Sequence, residues 1–120
     1  MSCACLNSNS LLNKNISTCE TLTCMTTVVS PVISVSIIGA TGTAMTVTLP
    51  AGISTGFIKV IVSLTANINI IPGPGVTIYS NSEDVTALTS TTGGASVELL
   101  WTGTNWMIIS NLGFAINQPC

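Results

Sequence analysis

The chain has 120 residues, enough for one compact domain and too few for two ordinary ones. Only 5% of its residues are charged and 47% are hydrophobic, with a net charge of -2 and no histidine. That balance excludes intrinsic disorder, which needs low hydrophobicity and high charge. Two cations, Lys14 and Lys59, cannot neutralise a run of phosphates, so no nucleic-acid partner is expected. Glu20, Glu83, Asp84 and Glu98 are all the acids there are for a calcium cage or a paired-carboxylate site. Without an imidazole, a nucleophilic Ser or Cys lacks its usual base, and no enzyme is expected.

A mean hydropathy of +0.70 raises the question of a membrane. The most apolar stretch, Phe57 to Leu64, is interrupted by Lys59 and Ser63 and is far shorter than the ~18 residues of a spanning helix. Two Trp, one Tyr and two Phe are too few for the aromatic girdles of a membrane barrel. No membrane partner is expected, and Met1 to Cys5 has neither the basic nor the apolar region of a classical signal peptide.

Residues 1–25 read as a polar, turn-rich arm: Asn7-Ser8-Asn9-Ser10 and Asn13-Lys14-Asn15 follow no regular period, and a strand near Leu22 is the one element expected there. From residue 26 to 120 β-branched residues alternate with polar ones, and Gly or Pro recurs at roughly eight- to twelve-residue spacing, the mark of a sandwich or barrel body. Ile33, Val35 and Ile37 share one face with serines on the other, and Met45, Val47 and Leu49 repeat the pattern up to the turn at Pro50-Ala51-Gly52. Ile58, Val60, Val62 and Leu64 are expected inside, with Lys59 and Ser63 facing out and Ile61 in contact on the outer face. Ile68 and Ile70 alternate with asparagines up to Pro72-Gly73-Pro74-Gly75, and Val76 and Ile78 form a short strand. Glu83-Asp84 reads as a solvated turn, with a weak cation contact as the alternative. Val97, Leu99 and Trp101 run into a hairpin whose loop is Thr102-Gly103-Thr104-Asn105, and Trp106 and Ile108 return from it. By alternation Trp101 belongs to the core. No 3.6-residue period appears. The expectation is an all-β fold, a single antiparallel β-sandwich of about eight short strands in a jelly-roll-like arrangement, carrying an extended Cys-rich arm.

The cysteines, Cys3, Cys5, Cys19, Cys24 and Cys120, all lie near the chain ends, and their odd number leaves at least one thiol free or bonded to another chain. They are the candidate cross-link residues. Reduced thiols and a thiolate metal site are the alternatives, but Cys3 and Cys5 are spaced one residue too tightly for an ordinary zinc pair, so neither metal nor cofactor is expected. Gly39-Ala40-Thr41-Gly42 and Gly93-Gly94 lack the glycine frame of a phosphate loop and read as turns. Asn15-Ile16-Ser17 is the one glycosylation sequon, with no use expected. Ser, Thr and Asn stand where charges usually sit, and so little like-charge repulsion suits a subunit that packs against copies of itself.

Leu49-Pro50-Ala51-Gly52, Thr55-Gly56-Phe57-Ile58-Lys59 and Ala95 to Ser110, with its Trp-turn-Trp hairpin, resemble the small β-sandwich domains of virion proteins in large DNA viruses and in phage fibres or decoration proteins. The resemblance implies a capsid, spike or fibre subunit present in many copies, partnered by itself and by other structural proteins of the particle, without catalysis. It also implies a virion or extracellular assembly as the location, with thiols oxidised after assembly inside a cell. The arm Met1-Ser2-Cys3-Ala4-Cys5-Leu6 is similar to that of bacterial endospore appendage subunits, although the adjacent Cys-Cys pair of that family is missing. A third reading is a receptor- or glycan-binding fibre tip using Trp106 and the loops at 72–75 and 102–105.

Overall fold

The computed structural model describes residues 2–4, 19–23, 26–39, 44–81 and 83–118. Among them are thirteen strands and no helix. In chain order the strands are β1 (Ser2–Ala4), β2 (Cys19–Leu22), β3 (Thr26–Val28), β4 (Val35–Ile38), β5 (Met45–Leu49), β6 (Ile58–Ser63) and β7 (Ile68–Pro72). They continue with β8 (Ile78–Ser80), β9 (Glu83–Val85), β10 (Ala87–Ser90), β11 (Ser96–Trp101), β12 (Trp106–Leu112) and β13 (Ala115–Asn117). One sheet has eight strands, ordered β1-β2-β4-β6-β11-β12-β8-β9, and the other five, ordered β13-β10-β7-β5-β3.

The all-β expectation holds, but the antiparallel one does not. From β2 to β7 the chain changes sheet at every step, so the strands that become neighbours run the same way: β2, β4 and β6 are parallel in the larger sheet, β3, β5 and β7 in the smaller. The two-residue turns that fold a strand back on its predecessor are absent here; Pro31, Pro50 and their flanking residues carry the chain across to the other sheet instead. The result is three successive coils followed by an antiparallel cap of β10 to β13, with β8 parallel to β12 at one edge. Pairing of this kind is a mixed architecture rather than the antiparallel jelly roll that alternation suggested. Of residues 1–25, Ser2–Ala4 and Cys19–Leu22 are strands of the larger sheet, and most of the remainder lies outside the described residues.

The two sheets share one core. Leu22, Ile38, Ile61, Val97 and Leu99 enter it from the larger sheet, and Met45, Val47, Leu49, Ile68, Ile70 and Leu88 from the smaller. Trp101 and Trp106 close one end, with ring centroids 5.2 Å apart and planes tilted by 57°, and Trp106 Nε1 donates to the Pro50 carbonyl at 2.8 Å. Gly52 lies against them so closely that a Cβ there would stand 2.3 Å from the Trp101 ring. The expected hairpin forms around Thr102–Asn105: Trp101 pairs with Trp106, Gly103 takes a left-handed φ of 110°, and the Thr102 amide donates to the Asn105 carbonyl at 2.9 Å.

Candidate functional site

Across β4 and β6 the larger sheet's inner face mixes polar with apolar side chains, while its outer face is apolar. Ser36, Lys59 and Ser63 are fully buried beside Ile38 and Ile61. Val35, Ile37, Val60 and Val62 are half-buried on the opposite face, and Ile58 and Leu64 are exposed. The expected orientation of Phe57 to Leu64 is therefore inverted. Ile61 lies on the inner face, strand pleating obliges Lys59 and Ser63 to follow it, and the valines go outward. On the outer face the strands align these residues in rows. Val35, Val60, Glu98 and Ser110 form one; Ile37, Val62, Ser96 and Leu112 a second; Ile58, Leu100, Met107 and Tyr79 a third. Glu98 is the one ionisable carboxylate or amine among these twelve positions.

Burial of Lys59 is made tolerable by a short relay. Its Nζ donates to the Ile33 carbonyl at 2.7 Å and to Ser36 Oγ at 2.7 Å. Ser36 Oγ in turn donates to the Glu20 carboxylate at 2.6 Å, which also accepts the Ser30 amide at 2.9 Å. Loss of water around the ammonium lowers the Lys59 pKa to about 8, against the opposing attraction of Glu20. The relay ties β2, β4, β6 and the 30–34 segment together. It contains a hydroxyl beside an amine of lowered pKa, but a fully buried amine meets no substrate.

A solvent-open cleft of about 660 Å³ lies at the seam of β8 and β12, lined by Tyr79, Asn81, Thr102, Asn105, Met107 and Ile108. Hydroxyls and amides face an aromatic ring and two apolar chains, with no carboxylate or amine among them. Of the features named for a ligand-reading tip, the 102–105 loop contributes to this lining and the 72–75 loop does not. Trp106 is fully buried and cannot serve as a stacking platform. Glu83 and Asp84 belong to edge strand β9 rather than to a turn, with both side chains exposed; charges on an edge keep it from pairing with other strands.

Among the cross-link candidates, Cys3 stands opposite Thr21 on β1, and Cys19 opposite Val35 on β2. Cys5, Cys24 and Cys120 lie outside the described residues. No cluster of three or more metal-ligating side chains occurs among the described residues. The inward Lys59 and its Ser36–Glu20 relay escaped the sequence reading, because alternation alone does not say which face is inner. The one signal was Ile61, which breaks the pattern of its strand. No protein-family model matches this chain, and no curated protein does.

Proposed function

We propose that the protein is a non-enzymatic structural subunit that self-assembles into a multi-copy extracellular particle or fibre, a virion capsid or fibre component, with its N-terminal arm and terminal cysteines joining neighbours. The observation that carries this reading is the outer face of the larger sheet. Val35, Ile37, Ile58, Val60 and Val62 face outward while Lys59, Ser36 and Ser63 face inward. A contiguous apolar face on a small chain marks a surface that is covered in the working state. A spore-appendage or pilus-like filament subunit would use the same physics.

The test is denaturing gel electrophoresis of the native assembly with and without reductant, thiols alkylated beforehand. A ladder that collapses to the 12.3 kDa chain only on reduction is expected. Monomer in both lanes would remove the intermolecular disulfides.

The cleft at Tyr79 favours a second reading, a module that reads neutral glycans. A glycan array separates the two, since a purely structural subunit gives no hits, and hits lost on Tyr79→Ala would favour the reader.

A further inference from the structure

We infer that the cleft at the seam of β8 and β12 takes an uncharged sugar, its ring lying on Tyr79 and two adjacent hydroxyls held by Asp84. The inference rests on the glycan reading above and narrows it to one class of sugar. Strand register places the carboxylate. Tyr79 pairs with Met107 of β12 on one side and with Asp84 of β9 on the other. Residues directly opposite each other share a face, with Cβ atoms about 4.5–5.5 Å apart in an antiparallel pair. The preceding row fixes which face this is. Ile78, Val85 and Trp106 are all buried, so Tyr79, Asp84 and Met107 point outward together. The exposed Asp84 therefore stands beside the Tyr79 ring, at the rim of the cleft.

The chemistry of the lining selects the ligand. A sugar ring offers a face of C–H groups and a rim of hydroxyls that both donate and accept. Tyr79 and Met107 supply an apolar floor for that face. Among the described residues the Tyr79 hydroxyl and the Asn81 side-chain amide have no hydrogen-bond partner, so both are available to a ligand. Asn105 is held by Thr102, whose Oγ1 donates to Asn105 Oδ1 at 2.9 Å and accepts the Asn105 backbone amide at 3.2 Å. Asn105 Nδ2 gives one hydrogen to Thr104 Oγ1 at 3.4 Å and keeps the other for a ligand oxygen. An ionised Asp only accepts, through two oxygens, and so matches two donors side by side, as adjacent sugar hydroxyls present them. Its charge also excludes. A phosphate, sulfate or acidic sugar would meet Asp84 and Glu83, and no lysine or arginine is exposed among the described residues to offset them. A wholly apolar ligand would strip water from Asn81 and Asn105 and return no hydrogen bond. At about 660 Å³ the cleft has the size of a small-molecule site, roughly 300–1,000 Å³.

The experiment screens the full, reduced chain on an array of neutral hexose glycans beside their uronic-acid counterparts, in which a carboxylate replaces the CH₂OH group. The best neutral hit is then titrated as free glycan by calorimetry and NMR. Uronic acids are expected to bind at least about tenfold more weakly than the neutral sugars. Asp84→Asn is expected to weaken the neutral sugar about tenfold and to bring the uronic acid within about threefold of it. Glu83→Gln, the neighbouring acid, is the control and is expected to change neither. Among monodeoxy analogues of the hit, one is expected to bind the wild type and Asp84→Asn alike. Tyr79 is the single tyrosine of the chain, so magnetisation transfer from its ring to carbon-bound sugar protons reports the stacking without any substitution. Circular dichroism checks that each variant folds, and the wild-type sugar comparison with the NMR decides where one does not. Uronic acids that bind as well as neutral sugars, a folded Asp84→Asn that binds like the wild type, or a bound sugar with no transfer from Tyr79 would each overturn the inference. Neutral hits would in that case still support a glycan-reading module. An array with no hits removes both.

Discussion

Lys59 is the residue whose position departs most from expectation, and it makes stability depend on pH. In the unfolded chain its ammonium loses the proton near 10.5, and in the folded protein near 8. Between those values the unfolded state binds more protons, so stability rises with pH through this window and levels off above it. The gain is on the order of 3 kcal/mol. Lys59→Met removes the ionisable group, and buried ion pairs exchanged for apolar chains often cost nothing. The difference between wild-type and Lys59→Met unfolding free energies, measured by urea titration at pH 7, 9 and about 10.5, is expected to shift in favour of the wild type as pH rises. A parallel pH dependence in both proteins would refute the burial of a charged amine. Glu20→Gln removes the attraction that opposes desolvation. It is expected to cost about 1–2 kcal/mol at pH 7 and less at high pH, where Lys59 is neutral.

At the scale of elements, the strands that were legible are those whose alternation ends at an unmistakable turn. Met45 to Leu49 before Pro50, Ile68 to Ile70 before the Pro-Gly repeat, and the pair of strands around Thr102–Asn105 all lie where expected. Strands β1, β3, β9, β10 and β13 were missed: three or four residues, most of them small, polar or acidic, carry too little periodic signal. Direction was illegible as well, because parallel and antiparallel ladders place the same side chains on a half-buried face. The inward side of β6 was inverted for a different reason: its outer residues are uniformly apolar while its inner face mixes Ile61 with Lys59 and Ser63, so alternation alone points to the wrong face. The arm boundary at residue 25 also has consequences. Strand β2 places Leu22 in the core and Glu20 on the relay. Deleting residues 2–24 therefore removes roughly 2–3 kcal/mol of apolar burial and the counter-charge of Lys59. Against a total stability of about 5–15 kcal/mol, the truncated chain is expected to melt far below the full one. An unchanged thermal midpoint would show that β2 contributes nothing to the body.

For the whole molecule, sparse charge and an outward apolar face lead to one expectation about the forces of association. The exposed ionisable side chains among the described residues include Glu83, Asp84 and Glu98, all acids, the first two adjacent on β9. Attraction between unlike charges can then contribute little when two copies meet. Burial of valine, isoleucine, leucine and methionine side chains must supply the driving force, and near room temperature that force is largely entropic. Sodium chloride screens the modest Glu98 repulsion and is expected to change the association constant by less than about threefold between 0.05 and 0.5 M. Sulfate, excluded from apolar surface, is expected to strengthen association, and cooling to weaken it. Sedimentation equilibrium of the reduced chain in the two salts and at two temperatures measures all three effects. Steep weakening by sodium chloride, with indifference to sulfate and temperature, would mean that paired charges hold the copies together, and the apolar face would have to be given up as the contact.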